Sequence, residues 1–422
     1  MDKVIIRNAL ALTLVQGANF LLPLLTLPYL SRVLGPSHFG AMSLALAVMS
    51  YFTLLTDYGF NWSATKQIAE NRHDPQAVRR IFWEVMSAKA LLACMSLLGV
   101  AIVALAVPGR VGGAQALWAA FPLVLASVLT PGWYFQGMER MGVSSWCAIV
   151  SNAAAVGLTF LLVHEPQHYW IAILVRSGCV VLAACLVMGV AFHGSHLSFV
   201  RPSLLAAREQ LRRGWHVFLS SASITLYGST NSVILGAMTG TQQVGYFSGA
   251  DRIRFATQSV VSPLSAAVYP RVGSLINRDR SAAFALIRKL LVLQGGGTLL
   301  ISLSLFAFAH WIVHLTLGPN YAASVDVLRL LAPIPFLVGL SNIFGVQTML
   351  NLGMHRTFSR ILMLSGALNV CLLLPLTYFY GARGAAASVM VTECFVTVAM
   401  GFSLHRQGVR YFAAVQSQGK PT

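Results

Sequence analysis

The chain has 422 residues, 56% of them apolar and only 10% charged, with a mean hydropathy of +0.70 and a formal net charge of +17. Soluble domains carry about 25% charged residues, so this chain cannot cover a water-facing surface and a soluble globular protein is excluded. Apolar runs of about 20 residues, each long enough to cross the hydrocarbon of a bilayer, recur along its whole length.

The first run, ALALTLVQGANFLLPLLTLPYL (Ala9 to Leu30), is too long for the roughly 7–15-residue apolar core of a signal peptide and has no convincing small-residue cleavage site. It reads as a first transmembrane helix. It carries Gln16 and Asn19 as well as Pro23 and Pro28, prolines that allow a bend. Eleven further spans begin near residues 39, 85, 116, 144, 169, 216, 244, 290, 325, 358 and 384, which makes twelve. The expected fold is therefore an all-α integral membrane protein. An even number of spans puts both termini on one side. With both inside, cytoplasmic segments hold 21 of the 29 Lys and Arg, and only Arg32, Arg110 and Arg383 fall outside. The positive-inside rule thus fixes both termini in the cytoplasm. It also absorbs most of the positive charge, so a pI of 10.2 implies no nucleic-acid partner.

An internal repeat divides the chain. VLGPSHFG (Val33 to Gly40) resembles ILGAMTGTQQVG (Ile234 to Gly245), each joining the first span of a half to its second. Lys66 falls opposite Arg271, and GMER (Gly137 to Arg140) answers GMHR (Gly353 to Arg356) after the fourth span of each half. These anchors predict two six-helix bundles, residues 1–200 and 216–422 with a short cytoplasmic tail, as parallel repeats with a substrate path between them. RPSLLAAREQLRRGW, within the linker 201–215, reads as an amphipathic segment on the cytoplasmic face. The six cysteines all fall in apolar runs without CxxC spacing and read as small buried hydrophobes. His164, Glu165 and His168 share a short outer loop but lack further ligands for a metal.

Nine ionisable residues fall within spans: Asp57, Lys89, Arg176, Asp251, Arg252, Arg254, Asp326, Arg329 and Glu393. Each would cost roughly 2.5–3.5 kcal/mol at a helix centre, so such residues face a partner or a wet cavity. Lys89 lies near a helix end and can snorkel to the interface. Asp326 and Arg329, three apart, can pair. GADRIRF (Gly249 to Phe255) is the densest case. Arg254 lies roughly 15 Å into span eight, near the bilayer middle. Asp251 and Arg254 are about 60° apart around the helix and can neutralise each other, but Arg252 points about 160° away. That leaves a positive charge to meet either Glu393 on another helix or an anion in a cavity. Span seven adds Ser, Thr and Tyr hydroxyls and Asn231, which suit either helix packing or a polar cavity wall. The residues alone imply a two-bundle transporter with a net-positive cavity and an anionic or hydroxyl-rich cargo.

Three stretches resemble a known family: YLSRVLGPSHFGAMSLALAVMSYFTLLTDYGFNWSATKQIAE (Tyr29 to Glu70), WYFQGMERM (Trp133 to Met141) and IPFLVGLSNIFGVQTMLNLG (Ile334 to Gly353). They resemble the O-antigen and exopolysaccharide flippases of the polysaccharide transporter family, within the multidrug/oligosaccharidyl-lipid/polysaccharide exporter superfamily. The resemblance implies a MATE-like, V-shaped pair of bundles that works by alternating access and needs no cofactor. It implies an undecaprenyl-pyrophosphate-linked oligosaccharide as cargo, moved from the cytoplasmic to the periplasmic leaflet of a bacterial inner membrane. Its partners would be the glycan polymerase and glycosyltransferases of the same pathway. On this reading Arg252 and Arg254 contact the head group, with Asp251 orienting one of them. Arg32 and Lys66 match basic positions of the family's pattern, suiting gating or topology as well as binding. Asn231, Gln16 and Asn19 are candidate sugar contacts, and Asp57 and Glu393 the acids for any ion coupling. Three other readings stand beside it: a cation-coupled drug antiporter of the same superfamily, a membrane enzyme acting on lipid-linked glycans, and a peptidoglycan-precursor flippase of the same superfamily, which typically has fourteen helices where this chain has twelve. Against the first, Arg252 and Arg254 sit where an organic-cation site needs unpaired acids. Against the second, the outer loops are too short to carry acid/base groups.

Overall fold

The computed structural model describes residues 3–106, 113–194, 197–200, 203–259 and 262–409. Side chains are described for these except at 3–24, 194, 204, 220, 223–227, 259, 262–264, 266, 267 and 277. The expected contacts of Gln16 and Asn19, and residues Arg110, Arg201, Arg410 and Lys420, therefore lie outside the described part.

All regular structure among the described residues is helical. Helix α1 (Lys3–Asp57) holds the first two spans, divided at Gly35, and α2 (Phe60–Glu70) follows after a tight turn. Span three is α3 (Pro75–Ala106); span four is broken into α4 (Ala114–Ala120), α5 (Pro122–Leu129) and α6 (Gly132–Gly137). Spans five and six are α7 (Gly142–Leu162) and α8 (Tyr169–Gly194). Helix α9 (Leu204–Thr239) joins the amphipathic segment from Leu204 onward to span seven without a break. Span eight is α10 (Thr241–Ser259) and α11 (Ser262–Arg278). Span nine runs through α12 (Arg280–Leu290), a π-helical turn at Leu291–Gly295, and α13 (Gly296–Ala307), followed by the short α14 (Ala309–Thr316). Span ten is α15 (Ala323–Leu331), α16 (Ile334–Ser341) and a π-helical stretch, Asn342–Leu350. The last two spans form α17 (His355–Arg406), whose backbone leaves helical geometry at Gly381.

The polarity is that of a protein solvated by lipid. Leu98, Leu105, Leu182 and Leu186 are exposed along the spans, while Ser96, Ser177, Thr298, Ser388 and Thr392 are buried. Buried hydroxyls return their protons to carbonyls a turn earlier, as Thr298 Oγ1 does to Gln294 O (2.8 Å) and Thr392 Oγ1 to Ser388 O (2.7 Å). The cysteines correct the sequence reading: Cys94, Cys185 and Cys371 are exposed rather than buried. A thiol is apolar enough to face hydrocarbon as readily as a core.

By packing, the chain forms two compact units, Met1–Ser248 with Leu315–Tyr321, and Gly249–His314 with Ala322–Thr422. The first unit has a core of Phe60, Ile68, Phe82, Val85, Trp133 and Tyr134, all essentially inaccessible. The second packs Val272, Ile287, Leu290 and Ile343 in one cluster and Met349, Ile361, Met400 and Leu404 in another.

Within the first unit the two repeat anchors meet each other. A methyl group on Gly40 would stand 1.8 Å from Thr241 O, and one on Gly245 would stand 1.9 Å from Pro36 O. The contact is reciprocal, residue for residue. Five residues before each anchor, Gly35 (φ 65°) and Gly240 (φ 88°) end the preceding span in the same left-handed backbone region.

Candidate substrate-binding residues

Helix α10 is polar for a membrane span, and its one carboxylate, Asp251, compensates one of its two arginines. Arg254 Nε donates to Asp251 Oδ1 at 2.7 Å, the pairing that three-residue spacing permits, and Nη1 donates to Gln258 Oε1 at 2.5 Å. Arg254 is mostly buried, with 13% of its side chain exposed, against 35% for Asp251. The pair thus presents its carboxylate side more than its guanidinium. Arg252 is half-buried and has an interaction of its own, as has Glu393 on α17. Asp326 carries two arginines, Arg383 and, at 4.0 Å, Arg329.

In the first unit, Asp57 ends the second span and accepts from Lys89 Nζ at 3.1 Å; the same ammonium donates to Ser127 O at 2.7 Å. This corrects the snorkelling expectation. Lys89 has 1% of its side chain exposed, its ammonium held by partners on neighbouring helices. Tyr58 (φ 42°) and Gly59 (φ 74°) then turn the chain sharply into α2. The left-handed turn suits Gly59, whose missing Cβ would meet Val217 Cγ1 at 2.6 Å; Tyr58 tolerates it stacked on Phe218 at 4.5 Å. Around this turn lies a polar cavity of about 290 Å³, lined by Ser50, Thr53, Asp57, Asn61, Trp62 and Ser221 among others. Sequence reasoning missed it: its lining is drawn from three helices, and only the Asp57–Gly59 motif hinted at it.

The remaining candidates are dispersed. Arg32 Nη2 donates to Leu315 O at 2.6 Å and Ser31 Oγ to Thr316 O at 3.3 Å, so Arg32 caps carbonyls at a helix C-terminus, a favourable place for a cation. Lys66 is exposed on α2 and pairs loosely with Glu70 at 3.8 Å. Asn231 is buried and engaged. Its neighbours Ser229 and Thr230 bond Ser50 Oγ (2.7 Å) and Tyr51 OH (2.9 Å), so these span-seven hydroxyls join two helices rather than line a cavity. In the FQGMER stretch, Glu139 binds Arg72 at 2.8 Å.

Among the described residues, eight helical segments are long and apolar enough to cross a membrane, some of them covering two spans, and with an apolar outside and buried hydroxyls they define a multi-pass membrane protein. Residues 5–276 match the family model described as polysaccharide biosynthesis protein, and the chain belongs to that family. A protein of Escherichia coli (strain K12) named as an O-antigen transporter is 37% identical over 93% of this chain and 95% of its own length. Among solved structures, the lipid II flippase MurJ in an inward closed conformation superposes with a TM-score of 0.71 at 12% identity, covering 95% of this chain and 87% of MurJ. An inward-facing multidrug exporter of the MATE family gives 0.70 at 15% identity, covering 96% and 98% of the two chains. These two share the fold.

Proposed function

We propose that the protein is a flippase that moves an undecaprenyl-pyrophosphate-linked oligosaccharide from the cytoplasmic to the periplasmic leaflet of a bacterial inner membrane. One observation carries this reading: a relative named for O-antigen transport matches the chain over 93% of its length, so whole architectures correspond. The chemistry agrees. A pyrophosphate and several sugars crossing bare hydrocarbon would lose their hydration at prohibitive cost. Polar groups fixed inside the protein replace that hydration, while the polyprenyl tail stays in lipid. The two repeats, 1–200 and 216–422, exchange access between the leaflets, with the amphipathic segment at 201–215 joining them. Arg252 and Arg254 contact the pyrophosphate, and Asp251 holds the Arg254 guanidinium in place until the head group arrives. Arginine suits this exchange because its planar fork donates to two oxygens at once.

The test is translocation of a fluorescent polyprenyl-pyrophosphate oligosaccharide in proteoliposomes. Wild type moves the lipid; Arg252→Ala and Arg254→Ala slow it by about tenfold or more, the loss of one charge-assisted contact of roughly 1.5–3 kcal/mol. Folded mutants that flip at the wild-type rate would make these charges structural. A wild type that moves no lipid-linked glycan but exchanges an organic cation for protons would replace the substrate assignment.

A further inference from the structure

The Asp57–Trp62 turn builds a cavity whose chemistry differs from that of the α10 arginines. Ser50, Thr53 and Asp57 lie three and four residues apart on one face of α1; the turn then brings Asn61 and Trp62 across from them, and Ser221 of α9 closes the wall. Trp62 has 72% of its surface exposed. Thr53 Oγ1 gives its proton to carbonyls of its own helix, at 3.1 Å from Met49 O and 3.0 Å from Ser50 O, which leaves its lone pairs as acceptors. Asp57 spends one oxygen on Lys89 and keeps the other, with 40% of its side chain exposed.

The charge decides among ligands. No arginine or lysine is among the described lining residues, and Lys89, which holds Asp57, is itself buried and bonded, so a phosphate finds no counter-charge in the lining. Lys89 at 3.1 Å also neutralises Asp57, which removes the bare acid that an organic cation requires. What remains is a neutral cavity with hydroxyls, an amide, a carboxylate oxygen and an open indole face. Convergent polar groups beside an aromatic surface fit a ring with polar edges and a C–H face. At about 290 Å³ the volume falls just below the usual range of small-molecule sites, roughly 300–1,000 Å³, and admits one sugar ring rather than a whole repeat unit.

We infer that the Asp57–Trp62 cavity is a monosaccharide-recognition subsite, in which Trp62 stacks on one sugar of the cargo while Asp57, Asn61 and Thr53 bind its hydroxyls. The inference rests on the flippase reading for its biological meaning, but sugar binding is measurable without transport. Saturation-transfer NMR on the full-length protein in nanodiscs, with free D-mannose, D-galactose, N-acetyl-D-glucosamine and L-rhamnose as probes, reads it directly. Wild type binds at least one probe. Trp62→Ala weakens that binding about tenfold, Asn61→Ala weakens it less, and Trp62→Phe retains most of it. Trp146→Ala, which removes an exposed indole away from the cavity, binds as wild type does. Binding of no probe, or binding that Trp62→Ala leaves unchanged, overturns the subsite and makes Trp62 an interfacial anchor. So does displacement of the sugar by tetraphenylphosphonium, which would make the cavity a cation site. Flipping of the lipid-linked glycan is assayed in parallel. A wild type that binds sugar but flips nothing defeats the proposed function alone; one that flips but binds no free sugar defeats only the subsite.

Discussion

Lys89 shows how a membrane protein accommodates a charge that the sequence places badly. Its ammonium, 1% exposed, holds Asp57 Oδ1 and Ser127 O together across three spans. Removing the carboxylate charge leaves a buried cation with an amide for company. Asp57→Asn is expected to destabilise the fold by about 3 kcal/mol, the lower end for a broken buried pair because Asp57 itself is partly exposed. Asp57→Asn combined with Lys89→Met should recover most of that loss, since removing both charges removes the desolvation penalty too. Thermal unfolding in detergent separates the cases: an Asp57→Asn protein that melts with wild type would mean that Lys89 reaches water. At this scale the sequence is legible only where the helix period alone sets the contact. Asp251 and Arg254 are three residues apart, so their pairing can be read directly. Asp57 and Lys89 are 32 residues apart and Arg32 and Leu315 283 apart, and nothing local announces either bond.

At the scale of elements, the repeat anchors explain why two glycines punctuate similar sequences. Side chains would hold α1 and α10 apart; glycine lets the backbones touch, a device that membrane helices use where hydrophobic collapse gives them no drive to associate. With 1.8 Å and 1.9 Å to a carbonyl oxygen, no rotamer change relieves an added methyl group. Gly40→Ala and Gly245→Ala should each lower stability by roughly 1–3 kcal/mol or more, as overpacking does. Gly157→Ala on α7, where an added methyl meets nothing within 4 Å, should be neutral or slightly stabilising through helix propensity. Equal melting temperatures for Gly245→Ala and Gly157→Ala would show that the α1–α10 contact yields at little cost. The glycines and the repeat are visible in sequence; that the anchors touch each other is not, because a repeat states likeness and not adjacency. The continuous α9 was hidden for a related reason. Its first part is dense in charge and its second carries none, although one backbone runs through both.

For the whole molecule, the class of fold follows from composition because lipid permits few solutions: every spanning backbone must satisfy itself, so a chain this apolar is helical. The proposed orientation, with both termini inside, rests on a different term, the cost of carrying cations across during insertion: it puts 21 of the 29 Lys and Arg in cytoplasmic segments. The direction of transport depends on it, since a flippase loads where its lipid-linked substrate is assembled. Green fluorescent protein fused after Thr422 should fluoresce and alkaline phosphatase there should be inactive, because the first folds only inside and the second only outside. Phosphatase inserted in the Pro166–His168 turn should be active. An active phosphatase at the C-terminus would invert the chain and expose the loops of Arg72, Arg79, Arg80, Arg208, Arg212 and Arg213 to the outer face. Converting Arg79, Arg80, Arg212 and Arg213 together to Gln offers the finer check. If these charges hold the first half in place, phosphatase fused within 193–215 should gain activity, while a fusion after Thr422, still held by the basic loops of the second half, should not.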